Sequence, residues 1–371
     1  MKQAGRFLKI LAVNVALLAV GIAALELAFG GWLDSGKLNR LNLIRDSRYA
    51  YDVSKIYADP NPVITYSRDR FGLRGSFSSP AQIDLLTVGG STTDQRYIRD
   101  GETWQDVLER RFKEANATVV VANAGVDGQS THGHIKNFEW WFSNVHGLQP
   151  EYILYYVGIN DFHVDEGYRY DNILGRERNF DLWREIREHS AIWNLSRTLR
   201  GTYVSLVKKK IGHRSVDFEE LQWTREALQS DYTFMQPRLL AYAKRLRILA
   251  DLSRGFGAEP IFVSQPTRQY RLAPDGIVGK SDITLYGNRE INGKDYYFMM
   301  RKIDGVTKSV AIETGAVFID LASHATWTDG DFYDLSHMKP QGAAKVGNLL
   351  YQALKGIFPG PEQADVQDAG R

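Results

Sequence analysis

The chain has 371 residues, 43% of them hydrophobic and 24% charged, which is enough apolar material for one large domain with appendages. Its 46 basic and 44 acidic residues leave a net charge of +2, too little to neutralise a phosphate backbone, so nucleic acid is not an expected partner. The absence of cysteine excludes disulfides, thiolate metal sites and a cysteine nucleophile.

From Ile10 to Gly31 the chain carries one acidic residue, Glu26, and otherwise reads as an apolar span. A run of about 20 such residues crosses the hydrocarbon core of a bilayer. No polar face appears over its first sixteen residues, which disfavours a buried core helix. The run is expected to be an uncleaved transmembrane anchor, residues 10–31, behind a cytoplasmic tail, residues 1–9; a cleaved signal peptide is the competing reading. Lys2, Arg6 and Lys9 precede the span, but Lys37, Arg40, Arg45 and Arg48 follow it and blunt the asymmetry. A short basic tail is easier to retain than to translocate. The expected location is therefore the inner membrane, single-pass, with the rest of the chain in the periplasm or outside the cell and Glu26 near the outer interface.

Residues 32–80 are polar, mixed in charge and weakly periodic, with Pro60 and Pro62 interrupting any long helix, and read as a membrane-proximal lead-in. After them strand-like runs alternate with helical patterns. The runs are Ile83–Val88, Thr118–Ala122, Tyr152–Val157, Pro260–Val263 and Val317–Leu321. Trp104, Val107, Leu108 and Phe112 fall at helical spacing between the first two, and Leu239, Leu240, Ala243, Leu246 and Leu249 do so before the fourth. Alternation of this kind predicts an α/β fold whose parallel sheet is covered on both faces, over residues 81–357. Pro340 announces a final helix, and residues 358–371 read as a flexible tail. The charged, Trp-bearing stretch at about 168–231 is longer than a crossover requires. It is expected to form extra helices, as a cap over the cleft or, as the Lys208-Lys209-Lys210 run would also suit, as a membrane-facing or partner-binding outgrowth.

In an open parallel sheet ligands bind beyond the carboxyl ends of the strands. The first run ends in Gly89-Gly90-Ser91, the second enters NAGVDG with Gly128, the third ends in GIND with Asn160, and the last is followed by DLSH with Asp334 and His337. These are the parts of a nucleophilic hydrolase. His337 would take the proton of Ser91 and Asp334 would fix the ring's tautomer. The amides of Ser91 and Gly128 and the Asn160 side chain would form the oxyanion hole.

With those motifs in order, the chain resembles the SGNH hydrolase superfamily, also called GDSL-like lipases and esterases, over Ala81 to Ile357. The matching blocks are GGSTT around Ser91, NAGVDG ending at Gly128, GIND at Asn160 and DLSH at Asp334 and His337. The resemblance implies a three-layer α/β/α sandwich of flavodoxin-like type with a five-stranded parallel sheet, and hydrolysis or transfer of an ester-linked acyl group without a cofactor. It departs in one place. Gly90 stands where the family's common block has Asp, as in a membrane-anchored bacterial branch that reads GGST and carries a segment like FGLRG, here Phe71 to Gly75.

Other signals are weaker. His132, His134 and His163 lack a full ligand spacing, so no metal is expected. No phosphate loop follows the first strand. Trp183, Trp193 and Trp223 suit a sugar-binding surface, though helix packing explains them more simply. The function expected is a membrane-anchored serine esterase acting on O-acyl groups, foremost O-acetyl groups of a surface polysaccharide or glycan. The alternatives are an O-acyltransferase with the same triad and an anchored assembly or binding protein that no longer turns over.

Overall fold

The computed structural model describes residues 2–32, 38, 41–163, 167, 171–173, 183, 186, 189–207 and 211–358. Lys37, Arg40, Tyr168, the Lys208–Lys210 run and the tail beyond residue 358 lie outside the described residues.

Helix α1 (Lys2–Phe29) is continuous. Its Gly5–Phe29 portion is long and apolar enough to cross a membrane, and its most apolar stretch is not buried against the rest of the chain. The helix begins before the expected span because Lys2, Arg6 and Lys9 are good helix formers. It is followed by an antiparallel hairpin, β1 (Ser47–Asp52) and β2 (Val63–Arg68), with Tyr49 opposite Tyr66. The segment read as a lead-in thus holds a strand pair. Ser47, Asp52 and Arg68 are buried in it, and polar residues at inward positions conceal a period of two.

Next come β3 (Leu85–Gly89), α2 (Ser91–Asp94), α3 (Trp104–Glu114), β4 (Val121–Asn123), α4 (Thr131–Trp140), β5 (Tyr152–Tyr156) and α5 (Ile159–His163). Then follow α6 (Ala191–Leu206), β6 (Trp223–Thr224), α7 (Gln236–Gly255), β7 (Glu259–Val263), β8 (Tyr270–Ala273) and β9 (Gly276–Lys280). The described chain closes with β10 (Thr284–Tyr286), β11 (Arg289–Ile291), α8 (Gly293–Thr314), β12 (Val317–Ile319), α9 (Leu321–His324) and α10 (Pro340–Leu354).

The central sheet has five parallel strands in the order β12-β7-β5-β3-β4. The chain runs outward from β3 to β4 and then back across to β5, which is the doubly wound flavodoxin-like order with its reversal at β3 and β5. Side chains alternate between two layers. Leu86, Val88, Ile153, Tyr155 and Phe262 meet Phe138 of α4, Leu246 of α7 and Met299 of α8. Leu85, Leu154, Tyr156, Ile261 and Val263 meet Leu108 of α3 and Val346 of α10. This is the three-layer α/β/α sandwich.

Two features extend it. Strands β6, β9 and β8 form a small antiparallel sheet beside the β10–β11 hairpin. No periodic pattern marks them, because apolar residues there, such as Leu272 and Leu285, are exposed and break any alternation. Phe358, placed in the expected tail, is buried against Phe112 and Tyr152, so the body reaches at least this far.

Candidate active site

All five residues of β3 are buried, and the chain leaves it through Gly89 and Gly90 to start α2 at Ser91. Both glycines are dictated by close approach. A Cβ at position 89 would lie 2.1 Å from Thr93 Oγ1 and 2.7 Å from the Tyr156 carbonyl, and one at position 90 would lie 2.1 Å from Asn160 Nδ2. The residue that departs from the common block is therefore the one that lets the Asn160 amide reach the turn.

The Ser91 hydroxyl lies 2.7 Å from His337 Nε2. The other ring nitrogen, Nδ1, lies 2.8 Å and 3.0 Å from the two carboxylate oxygens of Asp334. Asp334 also accepts the amides of Ser336 and His337 at 2.8 Å and 2.7 Å. Burial pushes its carboxyl up, but the bond and charge of His337 and the two amides outweigh burial and hold it below the usual carboxylate range. The three side chains form one hydrogen-bonded line at the carboxyl edge of the sheet.

Asn160, at the start of α5, donates from Nδ2 to the Gln129 carbonyl at 2.7 Å, which leaves its second amide proton for another acceptor. Gly128 sits at φ +76, in the left-handed region, in the loop after β4. Among the described residues, no acceptor is bonded to the amides of Ser91 or Gly128. Those two amides and the Asn160 side chain come from the loops after β3, β4 and β5.

The turn that carries Ser91 is braced by groups that no catalytic motif marks. Gln95, at φ +47, is held in the left-handed region by the Trp104 amide, which donates to its side-chain oxygen, and by Arg74, which donates to its carbonyl. Arg74, in the FGLRG segment, donates to the carbonyls of Asp94, Gln95 and Ile98 and to Asp100 at 2.6–3.0 Å. Arg68 of β2 is buried and reaches Asp94 and the Gly125 carbonyl, both at 2.6 Å, and Tyr66 donates to the same carboxylate at 2.8 Å. Burial raises the Asp94 carboxyl, and the charges of Arg68 and Arg96 more than offset it. Gln265, just after β7, donates to Thr92 at 2.7 Å and accepts the Ile159 amide at 2.8 Å, tying the helix of Ser91 to that of Asn160. A polar residue at the fourth strand end was the available signal for Gln265.

His213 was equally unforeseen. It lies in the long insertion, and its ring centroid is 4.3 Å from that of His337, while its Nδ1 is 2.7 Å from the Tyr333 hydroxyl. Burial and the neighbouring His337 depress its imidazole to about 4, so it is neutral at pH 7. Tyr333 stacks on His337 with planes 10° apart. With Ser91, Arg96, Tyr97 and Asp127, these rings line a narrow cleft of about 20 Å³. No motif marks His213, whereas Tyr333 directly precedes DLSH.

The donors of His213, Asp334 and His337 lie within 4.8 Å of one another, close enough for a metal. Both nitrogens of His337 are already engaged by Asp334 and Ser91, and one of His213 by Tyr333, an arrangement for moving a proton rather than for ligating an ion. His132 and His134 lie in α4, where Ser130 caps the helix, and His163 closes α5. Trp183 and Trp193 are exposed, and Trp223 lies under the Arg271 guanidinium at 4.2 Å.

No protein-family model matches the chain, and no curated protein matches it as a relative. Solved structures do. A variant of Axe2, an acetyl-xylooligosaccharide esterase from Geobacillus Stearmophilus, is 15% identical, covering 73% of this chain and 91% of its own, with a TM-score of 0.39. The psychrotrophic esterase EstA from Pseudoalteromonas sp. is 12% identical, covering 74% and 97%, with a TM-score of 0.38. A GDSL-like lipase from Bacteroides thetaiotaomicron is 11% identical, covering 76% and 92%, with a TM-score of 0.35.

Proposed function

We propose that the chain is a serine esterase of the SGNH type, held on the outer face of a bacterial inner membrane by α1 and acting on O-acyl groups. The observation that carries this reading is the unbroken line from Asp334 through His337 to Ser91, with 2.8 Å and 2.7 Å contacts. Ser91 Oγ attacks the acyl carbonyl as His337 Nε2 takes its proton, and the imidazolium is stabilised by the ionised Asp334. The oxyanion is met by the amides of Ser91 and Gly128 and the free amide proton of Asn160. Collapse expels the alkoxide, which takes the proton from His337, and leaves an acyl-serine. Water, deprotonated by His337, then attacks the acyl carbon; the bond to Ser91 Oγ breaks, Ser91 takes the proton back from His337, and the acid is released.

Gly90 supports the assignment of Asn160, since the Asn160 amide occupies the room a side chain would need. Arg96, Asp127 and Ser336 in the cleft's lining suit a hydrophilic alcohol portion, and O-acetyl esters of a surface polysaccharide or glycan are the substrate class proposed. The test is an ester panel on the purified full chain. Ser91→Ala should lower hydrolysis of an aryl acetate by about 10⁴-fold or more. Undiminished turnover by that variant would defeat the esterase reading, and acetyl transfer to an added glycan in preference to water would make the enzyme a transferase.

A further inference from the structure

Helix α6 is amphipathic in the reverse sense. The face it turns to the β1–β2 hairpin is small and polar. Ser205 is buried and accepts the Asp52 amide at 3.0 Å, Gly201 lies against the Tyr49 ring, and Asn194 and Thr198 share that side. Ile192, Leu195, Leu199 and Tyr203 recur at intervals of three and four on the outward side, each between 43% and 61% exposed. A helix on a water-facing surface places these residues the other way round.

The start of α6 is built onto the end of α1. Glu26 accepts the Ser190 hydroxyl and the Ala191 amide at 2.7 Å and 2.9 Å, and the Ile192 amide at 3.2 Å. Gly31 donates to the His189 carbonyl at 2.8 Å, and its own carbonyl lies 2.9 Å from His189 Nδ1. The apolar stripe of α6 therefore begins where the apolar run of α1 ends. Arg197 and Arg200, both exposed, lie together on one side of the stripe.

We infer that α6 is an interfacial helix, lying along the membrane surface with Ile192, Leu195, Leu199 and Tyr203 among the acyl chains and Arg197 and Arg200 at the phosphate headgroups. This rests on reading α1 as a membrane anchor. A lipid surface fits better than a partner protein because the stripe begins at the end of α1 and has cations along one edge, which suits an anionic bilayer. The contact would also fix the cleft relative to the bilayer. From α6 the packing passes through the hairpin to Tyr51, whose ring centroid is 5.3 Å from that of Tyr97, a residue lining the cleft.

The chain has no cysteine, so single cysteines can be labelled cleanly. Leu195→Cys and Leu199→Cys, with Leu18→Cys in α1 and Ile312→Cys in α8 as references, would carry a nitroxide in the full chain reconstituted into phosphatidylethanolamine and phosphatidylglycerol vesicles. The readout is the ratio of collisions with oxygen to those with a water-soluble nickel chelate. The expected ratio at 195 and 199 exceeds that at 312 by about three-fold or more, as for a helix sunk below the headgroups. If 195 and 199 match 312 while Leu18→Cys reads as lipid-embedded, the anchor stands and the interfacial helix is wrong. If Leu18→Cys is also exposed to water, the anchor reading fails and takes this one with it. Shielding of 195 and 199 from both reagents would mean that protein, a second copy or a partner, covers the stripe, and would overturn the assignment to lipid.

Discussion

At position 90 the absence of a side chain and the presence of the Asn160 amide are one fact, because the two cannot share the space. Asn160→Ala should lower kcat on a soluble ester by about 100-fold while leaving the denaturation midpoint nearly unchanged, the usual loss of one oxyanion donor. Gly90→Ala should cost about as much by displacing that same amide, and the double variant should be no worse than the poorer single one. Full additivity in steady-state kinetics would show that the two act separately. His213 bears on acid stability. In the unfolded chain it gains its proton below about 6.5, whereas in the fold it does so only near 4. Between those values the unfolded state binds more protons, so stability is complete above the window and falls as pH drops through it. His213→Gln should remove this term. Denaturant titrations at pH 7 and pH 4.5 should show the wild type losing about 1–2 kcal/mol more than the variant, the low end of the shift being taken because the ring is not fully buried.

Among the elements, the β1–β2 hairpin is the one whose role exceeds its size. It carries Arg68 into the interior beneath α2, where the guanidinium and Asp94 lie 2.6 Å apart with their side chains almost wholly buried. Removing one member of such a pair leaves an uncompensated charge. Arg68→Met should therefore cost about 3–5 kcal/mol, read by chemical denaturation, and adding Asp94→Leu should recover part of it. The exchange is also expected to lower kcat, since Asp94 ends the helix that starts at Ser91. If Arg68→Met leaves the midpoint unchanged, the hairpin does not brace the nucleophile turn.

For the whole molecule the joint between α1 and the body is the decisive coupling. Glu26 satisfies first-turn donors of α6 and places a negative charge at that helix's N-terminus, a contribution of about 1 kcal/mol. Glu26→Ala should accelerate hydrogen exchange at residues 191–193 by about five-fold. The amides of β3 and β5, in the middle of the sheet, should not change. Equal acceleration throughout would mean that the joint supports global rather than local stability.

The α/β layering is legible in the amino-acid order, through apolar runs that alternate with helical spacing and must be covered on both faces. Ser91 and Asn160 could be named as candidates because strand ends in a parallel sheet converge on one edge, whereas Asp334 and His337 stand beyond the helix that follows β12 and are marked by the DLSH motif alone. Strand boundaries moved by a few residues, as where the run to Leu321 stops at Ile319 and Asp320 caps the next helix instead. What surrounds that edge follows from long-range packing. Arg68, Arg74, Gln265 and His213 act through contacts with residues remote in sequence, and a buried polar side chain has no periodicity to announce it. The same holds for Gly90, whose meaning is the space it yields to Asn160, and for α6, whose apolar stripe shows its outward direction only when its small polar face is seen packed on the hairpin.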